Sequence, residues 1–289
     1  MDIINAIVLG VVQGLTEFLP VSSSGHLVLL QKVFGIKEPA LLFDTMLHMG
    51  TLLAVFVVLR HDIFAILKRL IQPLTGFLIL ATIPAVIAAL VFETRIEHAF
   101  ESGRFLGFSF LLTSALLIIA ELLSRRAGAK RLPVNKTTGN TEEEEKPRRN
   151  TKEKKMTVAD ALVIGVLQAV AIIPGVSRSG ATISGALSRG LDRDFAARFS
   201  FLLSIPAILG ALVFQLKDLV TADAANSSVV GISPVSVVAG TVSAAIVGFF
   251  AIRLMLKIVR EKSLFGFAIY TAVLGVLVIV DQFITHLVF

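Results

Sequence analysis

Apolar stretches of about twenty residues, the length needed to cross the hydrocarbon core of a bilayer, recur at 42–60, 73–92, 104–123, 195–216, 234–256 and 264–287. Charges gather between these runs instead of repeating along one helical face. That pattern argues against a large soluble helical domain and for six membrane-spanning helices. Two other regions, 3–34 and 158–189, are apolar at both ends but interrupted by Pro, Ser and Gly. Each is expected to form a pair of half-length helices that re-enters the membrane from one side. Irregular backbone at that depth survives only where it is buried in protein or lines a polar cavity.

The two broken regions resemble each other. GVVQGLTEFLPVSSSGHL from Gly10 and GVLQAVAIIPGVSRSGAT from Gly165 align after a shift of about 155 positions. Gly10, Val11, Gln13, Val21, Ser22, Ser24 and Gly25 then fall on Gly165, Val166, Gln168, Val176, Ser177, Ser179 and Gly180, the register of an internal duplication. Each half reads as one re-entrant pair followed by three spans, and three crossings leave the second half upside down relative to the first. The expected fold is an all-α polytopic membrane protein built as an inverted repeat. Residues 1–123 form the first repeat, 124–156 a charged flexible linker, and 157–289 the second repeat. A local echo, IPAVIAALVF from Ile83 against IPAILGALVF from Ile205, breaks this register and reads as shared membrane-helix composition.

Hydrophobic residues make up 55% of the chain and cysteine is absent, which excludes disulfides, thiolate metal sites and thiol nucleophiles. The chemistry must come from Ser, Glu, His, Arg and bound ions. A net charge of +6 would suggest nucleic acid in a soluble chain. Here the excess flanks membrane segments, where topology explains it, so no nucleic-acid partner is expected. Asp2 leads into a short apolar segment without a basic leader, so no cleaved signal peptide is expected. One side of the membrane receives Arg60, Lys68, Arg69, the linker basics, Arg189, Arg193, Arg198, Arg253, Lys257, Arg260 and Lys262. The other has only Lys32, Lys37, Arg95, Arg104 and Lys217. The basic side is expected to be cytoplasmic, with both termini and the first re-entrant pair external. The linker, with Glu142 to Glu145 followed by a basic run, has too little apolar content to fold alone; a latch on anionic headgroups is its functional alternative.

Both polar clusters stand where a half-helix begins. A helix N-terminus exposes unpaired N–H groups and the positive end of its dipole, and serine hydroxyls beside it complete an anion site. Ser22, Ser24, Gly25, Ser177, Ser179, Gly180, Thr182 and Gln13 are therefore candidates to bind a phosphate or pyrophosphate. Small residues also serve close helix packing, and for scattered cases such as Ser109 and Ser243 that reading is preferred. Arg178 is costly inside a membrane and needs an anionic partner, while its planar fork matches phosphate oxygens. That partner is a bound phosphate or Glu17, the acidic residue of the clusters, and the two are compatible. Glu17 can serve as a metal ligand or as a base toward serine. His26, three residues after Ser23, is a candidate acid or base, or else a packing residue. Asp44 and His48 share a face four residues apart and form either the outer rim of the same cavity or a local structural pair.

At these residues the chain resembles the undecaprenyl-diphosphatase family of bacterial integral membrane enzymes, also called the bacitracin-resistance family. GVVQGLTEFLPVSSSGHL from Gly10, PGVSRSGAT from Pro174 and FDTMLHMGTLLAV from Phe43 carry the resemblance, which covers nearly all of the membrane portion and leaves out the charged linker. It implies dephosphorylation of undecaprenyl pyrophosphate to the monophosphate, regenerating the lipid carrier of cell-wall synthesis, with a divalent cation such as Mg2+ or Ca2+. It also implies Glu17 as acidic group, Ser23 as nucleophile, His26 beside it, and Arg178 as phosphate clamp. Many members carry a second glutamate where this chain has Gln13, one helical turn before Glu17. Gln13 is no base, but its amide oxygen can coordinate a hard cation, so Glu17 and Gln13 are the candidate metal ligands.

The expected enzyme is a bacterial inner-membrane phosphatase whose active site faces outward. Direct attack by water, with Ser23 only a ligand, is the mechanistic alternative. A polyprenyl-phosphate flippase built on the same inverted-repeat architecture is the alternative from another class. The sequence leaves monomer and homodimer both open.

Overall fold

The computed structural model describes residues 1–36, 41–129, 154–221 and 233–289, with side chains described throughout these ranges except at 41–42, 93–102, 127–129 and 214–221. The described residues form eleven α-helices and a terminal π-helical turn, Asp281–Thr285. In chain order the helices are α1 (Ile3–Thr16), α2 (Ser23–Val33), α3 (Leu41–Val58), α4 (Arg60–Lys68), α5 (Pro73–Ser102), α6 (Leu106–Ala129), α7 (Val158–Val170), α8 (Arg178–Ser188), α9 (Arg193–Thr221), α10 (Pro234–Glu261) and α11 (Phe265–Val280).

Five segments are long and apolar enough to cross a membrane: Pro73–Phe92, Leu106–Arg126, Arg193–Val213, Pro234–Glu261 and Phe265–Thr285. α3 from Phe43 and α4 are apolar enough to count as a sixth when taken together as one broken span, bent by 77° where the chain passes Leu59. Neither Pro nor Gly stands at that bend. Leu59 leaves helical geometry with φ −96° and ψ 21°, and its buried side chain anchors the corner in the core. The hydrophobic pattern ends the first span near Arg60 but does not announce α4, whose Asp62 turns back to bind Arg198 at 2.9 Å.

Both broken regions fold as pairs of short helices, α1 with α2 and α7 with α8. The shift of about 155 positions carries the bounds of α2 onto those of α8. The same shift lays α1 on α7 to within one residue and makes α3 overlap α9, α5 overlap α10 and α6 overlap α11. Packing follows this correspondence: α1 lies along α10 as α7 lies along α5, α3 packs on α10 as α9 packs on α5, and α6 pairs with α11. The halves therefore interleave. Glycine permits the closest approaches, since a Cβ on Gly10 or Gly50 would overlap the carbonyl oxygen of Gly240 or Thr241 on α10. Gly165 repeats this against Ala81 on α5, where a Cβ would come within 2.8 Å of the carbonyl oxygen. In lipid, where apolar burial gives helices little reason to associate, such backbone contact and its dispersion energy hold the bundle together.

The main core, around Phe18, Ile164, Phe199, Phe201, Ile252 and Met255, lies where the halves meet. Basic residues assigned to one side of the membrane are tied together at one end of the bundle. Buried Glu121 accepts Arg193 at 2.6 Å, Arg125 at 3.0 Å and the Leu264 N–H at 3.3 Å. Asp194 binds Arg198 and Arg260. Buried Asp160 closes the outer end of the α7–α8 pair, capping Thr157 and holding Arg189 at 2.7 Å and Lys154 at 2.9 Å. The linker was expected to start at residue 124, but α6 continues to Ala129. Residues 130–153, and with them the acidic and basic runs, lie outside the described residues, as do the side chains of Lys37, Arg95 and Lys217.

Candidate active site

The turns between the paired helices bring α2 and α8 together at their N-termini. Ser22 caps α2, its hydroxyl accepting the Gly25 N–H at 3.2 Å, and Ser177 caps α8 by accepting the Gly180 N–H at 3.0 Å. The two serines align when the sequence is shifted by 155 positions. The turns also hold each other: the Gly175 N–H donates to Ser24 Oγ at 3.3 Å, and Ser179 Oγ donates to the Leu19 carbonyl at 3.0 Å. Ser22 has φ 74°, a left-handed conformation that non-glycine residues adopt only when their surroundings enforce it. The Ser22 carbonyl accepts His26 Nδ1 at 2.7 Å and the His26 N–H at 3.3 Å, which hold the turn in place.

Glu17 is the hub of the site. It follows the last turn of α1 and is 5% exposed. Its Oε2 accepts Ser23 Oγ at 2.5 Å and Gln13 Nε2 at 2.9 Å, and lies 3.5 Å from His48 Nε2. Its Oε1 accepts Arg178 Nη2 at 2.5 Å. A carboxylate buried this deeply requires such compensation, because desolvating a lone charge costs several kcal/mol. Arg178 stands at the first position of α8 and Ser23 at the first position of α2. The hydroxyl, the guanidinium and both helix ends therefore face one space. That space is a cavity of about 310 Å³, with Glu17, Ser23, Ser24, Asp44, His48, Ser177 and Arg178 on its polar side and Leu27, Val28, Ala207 and Ile208 on its apolar side.

Several expected site residues do not reach this cavity. Ser22, Gly25 and Gly180 are spent on capping and close packing. Ser179 and Thr182 are buried, bonded to Leu19 and to Ser200. His26 points away: with Nδ1 on Ser22, its Nε2 accepts the Tyr270 hydroxyl at 2.7 Å, and its ring stacks on Tyr270 at 5.8 Å. The histidine beside Glu17 is His48, which the sequence assigns with Asp44 either to an outer rim or to a local structural pair. His48 Nδ1 donates to the Asp44 carbonyl at 2.7 Å, which leaves Nε2 facing Glu17. The spacing of four between Asp44 and His48 signals a shared face, but nothing in the sequence joins that face to Glu17. Asp44 itself accepts Gln31 Nε2 at 2.8 Å.

Among the described residues no group of three or more His, Cys, Asp and Glu gathers as a metal centre. Gln13, expected to bind phosphate or metal, does not line the cavity and turns Nε2 toward Glu17; its Oε1 is buried without a hydrogen bond, so the Glu17 carboxylate and Gln13 Oε1 become a donor set once the amide turns over. Two hard oxygens suit a cation such as Mg2+ or Ca2+ that completes its shell with water and substrate oxygens.

Residues 6–277 match the family described as Bacitracin resistance protein BacA. An undecaprenyl-diphosphatase of Carboxydothermus hydrogenoformans is 44% identical over 282 residues, covering 98% of each chain. Undecaprenyl-diphosphatase 4 of Bacillus thuringiensis subsp. konkukian is 40% identical over 283 residues, again covering 98% of each. Both motifs that build the cavity fall inside the matched region, and the chain belongs to the bacitracin resistance protein BacA family of multi-pass membrane proteins.

Proposed function

We propose that this protein is an undecaprenyl-diphosphatase, a membrane hydrolase that converts undecaprenyl pyrophosphate to undecaprenyl phosphate and inorganic phosphate. That reaction recycles the lipid carrier of cell-wall synthesis and confers bacitracin resistance. One observation carries the chemistry: a buried carboxylate, Glu17, holds a serine hydroxyl and an arginine at 2.5 Å each in a cavity between two helix N-termini.

In the reaction we infer, Arg178 exchanges Glu17 for the oxygens of the terminal phosphate, and the N–H groups opening α2 and α8 neutralise further charge. Glu17 takes the proton of Ser23 as Oγ bonds to the terminal phosphorus. The bridging P–O bond breaks, and undecaprenyl phosphate leaves with its electron pair. Glu17 gives the Ser23 proton to the departing phosphate, and water, deprotonated by the restored carboxylate, then attacks the phosphoserine, frees inorganic phosphate and leaves Ser23 Oγ to take the proton back from Glu17. Ser24 and Ser177 line the cavity as further phosphate donors. Gln13 and Glu17 would hold a divalent cation, which when bound neutralises phosphate charge.

The exchange of packing partners between the halves supports an inverted repeat, with α1–α2 and α7–α8 as re-entrant pairs. The basic end of the bundle supports a cytoplasmic location for Glu121, Arg193 and Arg260, and hence an outward-facing cavity in the bacterial inner membrane. Because the chain has no cysteine, a thiol introduced at Lys68 and labelled only from the cytoplasmic side tests this orientation. The activity is tested by phosphate release from undecaprenyl pyrophosphate in detergent, with and without chelator, by wild type and Arg178→Ala. Release by wild type, with a rise in KM and a fall in kcat for the variant, is expected. Lipid movement without phosphate release would instead identify a flippase.

A further inference from the structure

The cavity that holds Glu17, Ser23 and Arg178 has two chemically distinct ends. Asp44, Thr45 and His48 on α3 form one wall. A second wall is apolar: Ala171 and Val176 from the α7–α8 turn, Ala207, Ile208 and Ala211 from α9, which packs beside α3, and Leu27 and Val28 from α2. Apart from Ile208 and Leu27, the helical side chains of this second wall are half-buried or exposed. Ala211 is exposed on the apolar segment Arg193–Val213, and a Cβ on the adjacent Gly210 would meet nothing within 4 Å. α9 packs on α3, α5, α8 and α10, and α2 shares the cavity with it through Leu27 and Val28. An apolar opening framed by small residues thus joins the polar site to the flank of a membrane helix.

We propose that this opening is the portal through which a prenyl chain leaves the site, and that Ala171, Ala207 and Ala211 keep it wide enough to pass. This rests on the hydrolase reading above. A cavity of about 310 Å³ lies at the low end for a drug-sized ligand and cannot enclose a C55 chain beside its pyrophosphate. The chain has to leave. Asp44 and His48 make the α3 wall unsuitable for hydrocarbon, since each polar group left facing it would lose its hydration. The wall bearing the three alanines has no such group. Bulk at these positions narrows the exit for a long chain while leaving room for a pyrophosphate whose short tail stays inside, so they select for chain length.

The test uses the full-length protein in detergent with Ala207→Phe and Ala211→Phe. For each, kcat/KM is measured on undecaprenyl pyrophosphate and on a short allylic pyrophosphate. A fall of about tenfold or more on the long substrate, with the short one kept within about twofold, is expected for a blocked hydrophobic passage. Equal falls on both, or none on either, overturn the portal. Absence of turnover of either substrate by wild type overturns the hydrolase reading instead, so the two failures are distinguishable. Ala211→Cys gives a second measurement, because the chain contains no other thiol. Undecaprenyl phosphate should slow its reaction with an apolar maleimide while inorganic pyrophosphate does not. Equal protection by both, or by neither, contradicts the assignment.

Discussion

Replacing Glu17 by Gln keeps the shape of the side chain and removes its charge and basicity. The carboxylate accepts the Ser23 hydroxyl at 2.5 Å, and both proton transfers inferred for it, from Ser23 and from the water that attacks the phosphoserine, depend on Ser23. Loss of a general base costs about 10²–10⁴-fold in rate, which is about 2.7–5.5 kcal/mol. Ser23→Ala removes the nucleophile itself and should cost at least as much. A base with no hydroxyl to deprotonate has nothing left to contribute, so the double variant should be no slower than Ser23→Ala. The expected coupling energy then equals the whole Glu17→Gln loss, about 2.7–5.5 kcal/mol, where independent effects would multiply to about 10⁴–10⁸-fold. The assay is phosphate release at saturating undecaprenyl pyrophosphate by wild type, both single variants and the double. Multiplicative losses would falsify the pairing and make Glu17 a group that serves the phosphate without Ser23.

Three further outcomes follow from the packing. Tyr270→Phe keeps the ring stacked on His26 but loses the 2.7 Å hydrogen bond to Nε2. At about 0.5–1.5 kcal/mol for such a bond, kcat should fall about 2- to 10-fold through the looser Ser22 turn with KM little changed; an unchanged kcat would disconnect His26 from the site. Gly50→Val puts a branched side chain where even a Cβ overlaps the Thr241 carbonyl, whereas Gly76 has nothing within 4 Å. Thermal unfolding in detergent should show a loss of about 1–3 kcal/mol for Gly50→Val and none for Gly76→Val. Glu121→Gln weakens the tie among α6, α9 and the start of α11. The cost should be about 1–3 kcal/mol, less than for a fully buried pair because the Arg193 side chain keeps 26% of its exposure, with kcat unchanged in the folded fraction.

The spans, the two broken helix pairs and the start of α2 and α8 at their serine caps were legible because each depends on residues near in sequence. An apolar run of the right length, a Pro–Ser–Gly interruption and an N-cap hydroxyl are local features. The contact between Glu17 and Arg178, 161 residues apart, was legible as one of two compatible partners for the arginine, because a costly charge in each of the two matching segments needs an opposite charge. The bend at Leu59 was not, since it depends on core contacts rather than a Pro or Gly. Nor was the turning of His26 toward Tyr270, 244 residues away. Both ring nitrogens of that histidine are committed by a backbone carbonyl and a distant hydroxyl, and spacing to Ser23 says nothing of either. His48 shows the converse: its bond to Asp44 is local, while its approach to Glu17 exists only once α1 and α3 pack.

The central claim, that Ser23 attacks phosphorus with Glu17 as its base, is tested most directly by a single turnover of undecaprenyl pyrophosphate labelled in its terminal phosphate, quenched in acid. The account predicts transient label on the protein as a phosphate ester at Ser23, lost on a chase with excess unlabelled substrate and absent from Ser23→Ala, which should also release phosphate at least about a hundredfold more slowly. Wild-type turnover by Ser23→Ala, with no label on the protein at any time, would contradict it.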